Sequence, residues 1–173
     1  MPVSSSTPAE LLARAGKSFH LAGKFLPRER RQAATQLYAF CRGLDDLADE
    51  TGDAAQIEAV AAALENRDTS HPLASLYLTL ENPDPAPAIA LARALRDDTG
   101  PTVLADERAL LRYCHGVAGT VGLMMARVLG ATDPAAAYHA IDLGIALQLT
   151  NIARDTREDA DHDRRYVPAT WLD

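Results

Sequence analysis

The stretch Tyr38-Ala-Phe-Cys-Arg-Gly-Leu-Asp-Asp-Leu-Ala-Asp49 decides how this chain is read. It lies in a run from about Arg28 to Glu50 that is rich in Ala, Leu, Gln and Arg, with no Gly or Pro before Gly43. Such a run forms a helix. On a helix, Tyr38, Arg42, Asp45 and Asp49 fall at i, i+4, i+7 and i+11, so a ring, a guanidinium and two carboxylates share one face. Leu37, Leu44 and Leu47 lie on flanking faces, where they can pack. Two carboxylates one turn apart repel each other, so the stripe needs either solvent or a cation beside it. A solvated acidic helix end and a cation site both meet that need.

A second stretch, Gln148-Leu-Thr-Asn-Ile-Ala-Arg-Asp-Thr-Arg-Glu-Asp159, repeats the pattern about a hundred residues later. Gln148, Asn151, Asp155 and Asp159 fall at i, i+3, i+7 and i+11, again a single stripe. Two helices that each offer an Asp-x-x-x-Asp face, set across a cavity, supply oxygen ligands only and leave coordination positions open. That suits Mg²⁺, which prefers hard oxygens, keeps waters and bridges to substrate phosphates.

These motifs, taken in order, carry a resemblance. Ser18-Phe-His-Leu-Ala22, Leu26-Pro27, Leu37-Tyr-Ala-Phe-Cys-Arg42 and Asp45-Asp-Leu-Ala-Asp49 are followed by Tyr113-Cys-His-Gly-Val-Ala-Gly-Thr-Val-Gly122 and Gln148 to Asp155. From about Lys17 to Trp171 the chain resembles the squalene/phytoene synthase family. The resemblance implies an all-α isoprenoid synthase fold, a helical bundle around a central cavity. It implies head-to-head condensation of two prenyl diphosphates, farnesyl or geranylgeranyl, through a cyclopropyl intermediate with loss of diphosphate. Asp45, Asp49, Asp155 and Asp159 would hold Mg²⁺ (or Mn²⁺), with Asp46 assisting. Ser18, Tyr38, Arg42, Tyr113, Gln148, Asn151, Arg164 and Tyr166 would contact substrate, the Arg164 and Tyr166 pair in a flap-like segment. NADPH would serve only a squalene-type product. The rival readings are a non-catalytic assembly protein of the same family and a head-to-tail prenyltransferase or terpene cyclase. Many relatives carry a His and a Ser shortly before Ser18, where this chain has Ala15 and Gly16. Relatives also continue beyond Asp173, so one domain, residues 1–173, is expected to lack its C-terminal helices. On that expectation Leu123, Met124, Ile141, Ile145 and Leu149 are incompletely covered, and the chain by itself is inactive and self-associating.

Composition agrees with a folded helical domain. Of 173 residues, 47% are apolar and 24% charged, and Ala and Leu dominate. A formal net charge of -7 argues against nucleic acid as a partner. Cys41 and Cys114 sit within helical patterns and read as reduced core thiols of a cytoplasmic protein. The first nine residues do not form a signal peptide pattern. The apolar stretches around Val117–Leu129 and Ile141–Leu149 are too short or interrupted to span a bilayer. Greasy substrates nonetheless imply peripheral contact with a membrane.

Elsewhere the punctuation is legible. Thr7-Pro8-Ala9-Glu10 opens a helix expected to reach about Lys24, and Pro27 opens the next, with Arg28, Arg30 and Arg31 solvated. Short helices are expected at 54–64, 71–80 and 86–96, with His71 as a turn residue and no catalytic group in this middle third. One helix is expected from Asp106 to Leu129, and another from the Asp133 cap and Pro134 to about Asp159. Gly116, Gly119 and Gly122 recur at i, i+3 and i+6, and each costs a helix roughly 0.5–1 kcal/mol relative to Ala. Close helix packing or an open channel would justify them, and beside the carboxylate stripes a channel is expected.

Overall fold

The computed structural model describes Pro8, Glu10 and residues 17–172, with the side chains of Lys17, Ser18 and Glu50 outside that description. Thr7 and Ala9 of the expected first helix start, and the Ala15-Gly16 departure, also lie outside the described residues. Helix α1 (Lys17–Gly23) is followed by α2 (Arg28–Asp46), α3 (Ala54–Glu65), α4 (Pro72–Leu78), α5 (Pro85–Asp97), α6 (Glu107–Cys114), α7 (Thr120–Val128) and α8 (Pro134–Asp161). The fold is all-α. Five of these helix starts share one device, an acidic or imidazole cap whose side chain accepts a free backbone N–H. Asp53, Asp84, Asp106 and Asp133 do this for α3, α5, α6 and α8, and His71 does it for α4. His71 is therefore a cap as well as a turn residue.

Two pitch changes interrupt the expected helices. Helix α2 passes into a π-helix at Leu47–Thr51, and α6 and α7 are joined through another at His115–Gly119. The first ends at Gly52, whose φ of 57° places it in the left-handed region that glycine adopts cheaply. Periodic apolar spacing cannot announce a π-turn, because one wider turn leaves the pattern on either side intact.

The main core gathers Leu37, Phe40 and Leu44 of α2, Ile57, Val60 and Leu64 of α3, Tyr77 of α4, Leu91 and Leu95 of α5, and Met124 of α7. Helix α3 packs along α5 and α7 along α8. Tyr77 stays in this apolar interior because its hydroxyl donates to the Asp84 carbonyl at 2.7 Å. A smaller cluster, Leu110, Cys114, Ile152 and Tyr166, seals α6 against α8 and the C-terminal segment. Cys41 and Cys114 are both free thiols, and burial pushes the Cys114 thiol up to about 11. The C-terminal segment is tied down by a pairing that the sequence did not announce. Strand β1 (Thr102–Val103) runs parallel to β2 (Arg164–Arg165), with Thr102 opposite Arg164. The Leu104 N–H donates to the Arg165 carbonyl and the Ala169 N–H to the Leu104 carbonyl.

The glycine face is a packing surface, contrary to the channel expectation. A Cβ on Gly122 would lie 2.1 Å from the Ala140 carbonyl oxygen, and one on Gly144 would lie 2.3 Å from that of Ala118. Only hydrogen fits where α7 and the π-turn before it cross α8 backbone to backbone. Gly116 meets the Ala94 methyl in the same way, and Gly119 meets Ile141 and His115. Of the five residues expected to be incompletely covered, four are half-buried and one is fully buried. Met124 is buried, whereas Leu143, Leu147 and Tyr138 on the outer side of α8, with Trp171 and Leu172, are exposed. Leu123, Ile141, Ile145 and Leu149 are half-buried, because they sit on the turns of α7 and α8 that face neighbouring helices. No described helix is long and apolar enough to cross a membrane.

Candidate functional site

The two carboxylate stripes come together. Asp45 and Asp49 from the end of α2 and its π-turn, with Gln148, Asn151, Asp155 and Asp159 from α8, line one polar cleft of about 250 Å³. Tyr113 of α6 and Arg164 and Tyr166 of the C-terminal segment close its sides. A larger, apolar hollow of about 740 Å³ beside Leu111, Ile145 and Trp171 shares no lining residue with this cleft. The smaller cleft is the candidate site because it concentrates the charged and amide groups.

The electrostatics differ from wall to wall. Burial pushes the Asp45 carboxyl up to about 7; Arg42 pulls the other way, and Asp49 and Asp46 add repulsion. Asp159 is also raised, first by burial and then by the Asp155 charge. The Arg154 guanidinium grips Asp155 with two bonds, at 2.6 and 2.5 Å, and holds its carboxyl below the usual range. Asp49 accepts from Arg164 Nη1 at 2.9 Å, which links the first stripe to the flap-like segment across 115 residues. Asn151 donates to Gln148 Oε1 at 3.4 Å, so the two amides are already aligned along α8.

Three expected contacts fall elsewhere. Arg42 stands 2.6 Å from Asp46 as an i,i+4 ion pair, and neither residue lines the cleft. Asp46 follows Asp45 by one residue and is turned about 100° around the helix, so it faces Arg42 instead of the cavity. Its Oδ1 has charge compensation but no aligned donor. Tyr38 also stays outside the cleft wall and contacts Phe19, ring centroids 6.4 Å apart. The side chain of Ser18 lies outside the described residues. Nor do the carboxylates form a ready-made ligand cluster: among the described residues, no three His, Cys, Asp or Glu side chains stand together closely enough to hold a metal ion. Arginines occupy that role instead, Arg164 at Asp49 and Arg154 at Asp155.

The sequence reading missed Asp98. This carboxylate, 7% exposed at the end of α5, accepts from Tyr166 at 2.7 Å and Tyr113 at 3.0 Å on one oxygen, and from Thr102 at 2.8 Å on the other. The two tyrosine rings stack with centroids 4.6 Å apart. Burial raises both hydroxyls well above the ordinary tyrosine range, with the Asp98 charge adding to it. In sequence Asp98 sits in Asp97-Asp-Thr-Gly-Pro101, which has the composition of a loop.

With this geometry established, the relatives can be placed. The family model for squalene/phytoene synthase matches residues 12–173. The chain belongs to the squalene/phytoene synthase family. It is 41% identical over 162 residues to a phytoene synthase of Thermus thermophilus, covering 90% of this chain and 56% of that protein. It is 38% identical over 186 residues to a phytoene synthase of Pseudescherichia vulneris, covering 94% and 59%. A crystal structure of a dehydrosqualene synthase in complex with ligand superposes with a TM-score of 0.83 at 32% identity, covering 93% of this chain and 59% of that one. The chain thus spans under two thirds of the length of these relatives, and the shared fold is the isoprenoid synthase fold.

Proposed function

We propose that the chain carries the diphosphate-binding half of a head-to-head prenyl diphosphate condensation. The reading is supported above all by the cleft in which both Asp-x-x-x-Asp faces, two amides, an arginine and two tyrosines converge. The substrates are two farnesyl or geranylgeranyl diphosphates, brought from a membrane surface that the protein touches peripherally. NADPH enters only where the product is of the squalene type.

The donor set fits Mg²⁺: the candidate ligands Asp45, Asp49, Asp155 and Asp159 are hard oxygens. Asp45, protonated up to about pH 7 among its neighbours, is in the state that a nearby dication reverses. When bound, Mg²⁺ would neutralise charge on the diphosphate and so ease its departure. This chain's residues then have distinct roles. Arg164, held at Asp49, is placed to meet a diphosphate oxygen with charge-assisted hydrogen bonds. Gln148 and Asn151 present amides along one line and orient the same group. Departure of the first diphosphate leaves an allylic cation. The second substrate's double bond attacks it, and loss of a proton from the resulting cation closes a cyclopropyl diphosphate. This ionises in turn, and the rearranged cation is discharged by loss of a second proton or, in the squalene-type reaction, by hydride from NADPH. The stacked Tyr113 and Tyr166 rings, with Leu95, Val117 and Ile152, supply wall that excludes water and faces cations with π-electrons.

Incubation with C15 and C20 diphosphates and Mg²⁺, with and without NADPH, tests the reading through diphosphate release and product mass. Binding of a non-ionising thiodiphosphate analogue by calorimetry reports on the cleft independently of turnover. Metal-dependent binding of the analogue is expected, and binding that ignores both Mg²⁺ and loss of Asp155 would overturn the assignment.

A further inference from the structure

We propose that Asp98 is a positioning residue, a buried carboxylate that fixes the Arg164–Tyr166 segment over the aspartate cleft. Four parts of the chain meet at this one side chain. Asp98 caps the end of α5, Thr102 belongs to β1, Tyr113 to α6, and Tyr166 follows directly on β2. All three donors are side-chain hydroxyls directed at an anion, and such charge-assisted bonds are about twice as strong as neutral ones. A carboxylate this deeply buried requires its donors, so the donors are held as firmly as they hold it.

The consequence reaches the cleft through the backbone. Tyr166 is two residues from Arg164, and Arg164 pairs with Thr102, the same residue whose hydroxyl donates to Asp98. Backbone bonds from Leu104 and Ala169 continue the clasp past the C-terminal end of the pairing. Arg164 in turn donates to Asp49. Without Asp98, Tyr166 and Thr102 lose their common acceptor, and only a two-residue strand pair keeps the guanidinium over the carboxylates. So short a pairing is weak on its own.

The proposal rests on the diphosphate reading only for what the cleft binds, and two measurements on the full chain separate the questions. Hydrogen exchange reports on the clasp. In Asp98→Asn, the Leu104 and Ala169 amides should exchange faster while those of α2 keep their protection. Unchanged protection would overturn the proposal. Calorimetry with inorganic pyrophosphate and MgCl₂ reports on the consequence. Asp98→Asn should weaken pyrophosphate roughly tenfold, the scale at which residues that orient a binding group act. In an Arg164→Ala background the same change should cost less than about twofold, because Arg164 is the group being positioned. A lower melting temperature with unchanged pyrophosphate affinity would leave Asp98 merely structural and sink the idea. If the unaltered chain binds no pyrophosphate, the diphosphate reading fails and hydrogen exchange alone decides the positioning. Should Asp98→Asn not fold, Tyr166→Phe removes one donor and leaves Asp98 two; both readouts should then move in the same direction by less.

Discussion

Asp45 and Asp49 stand where a core helix changes pitch, whereas Asp155 and Asp159 ride one unbroken 28-residue helix. The spacing is the same and the surroundings are not. Beneath Asp45 lie Leu44 and Ala48 of the main core, and burial lifts its carboxyl to about 7. Asp155 has a guanidinium next to it in sequence, which holds its carboxyl below the ordinary range. The supports differ too. Side-chain packing anchors α2, while α8 is held to α7 and the π-turn before it through hydrogens on Gly122 and Gly144 where no methyl fits. A repeated motif therefore predicts which carboxylates meet, and the packing under each decides what charge it carries.

The largest effect expected is on binding. If both faces serve one Mg²⁺-diphosphate site, Asp45→Asn and Asp155→Asn should each weaken Mg²⁺-dependent pyrophosphate binding by at least the roughly 10–100-fold that disturbing a metal site's supporting groups costs. Calorimetry that finds one variant at parental affinity would break the equivalence of the two faces and leave a one-sided site. Next comes the glycine contact. Gly122→Ala forces a methyl to within 2.1 Å of a backbone oxygen, which cannot swing aside as a side chain can. Overpacking of this kind costs typically about 1–3 kcal/mol, and urea unfolding should show it. Gly116→Ala, facing the Ala94 methyl at 2.8 Å, should cost less. Equal and negligible losses at both positions would restore the open-channel reading that the structure overturns.

A pH series sharpens the comparison, because Asp45 and Asp155 are shifted in opposite directions. Folded Asp45 keeps its proton to about pH 7, while the unfolded carboxyl loses its own near 3.8. The folded state binds the extra proton between those values. That contribution is complete below pH 3.8 and gone once pH passes about 7. Asp155 is lowered on folding, so its contribution is present above the ordinary carboxylate range and is lost as pH falls through the depressed value. In metal-free buffer, Asp45→Asn should flatten the fall of melting temperature between pH 4 and 7. Asp155→Asn should act mainly on the acid limb and change that slope less, through the relief it gives the raised Asp159 carboxyl. A slope unaffected by Asp45→Asn would mean that some other group titrates there.

Much of this was legible before any coordinates, and the misses share a cause. Periodicity places side chains on a face, so both stripes and the α8 start at Asp133-Pro134 read correctly. The limit appears at Arg42 and Asp46, where the nearest partner on the same helix took the guanidinium away from the cleft. It appears again at the glycines, since the spacing of small residues is the same whether the facing surface is a ligand or a backbone. Asp98 was invisible for a stronger reason. Its three donors come from 4, 15 and 68 residues away, and only tertiary folding turns a loop-like Asp into a buried acceptor. The π-turns at 47–51 and 115–119 belong to the same class, because a wider turn is a response to packing on both sides.

The smallest expected effect isolates the second face. Arg154 is exposed, and its pair with Asp155 is a neighbour-to-neighbour surface contact of the kind that adds little to stability. Arg154→Ala should therefore shift the unfolding midpoint little, and less in high salt, which already screens the pair. Its effect on the cleft should be the reverse of a loss. With the guanidinium gone, both Asp155 oxygens are free to face a cation, and the Asp155 carboxyl returns toward its ordinary range. Mg²⁺ or Mn²⁺ titrated alone, with no diphosphate present, should then bind slightly more tightly than to the parent chain. Asp45 has no such competitor, so removing the Arg42 side chain should take away a favourable charge and raise the Asp45 carboxyl further. If Arg154→Ala instead weakens cation binding, its guanidinium holds Asp155 in the binding position and does not compete for it. The contrast between a buried Asp45 and an arginine-paired Asp155 would then have to be abandoned.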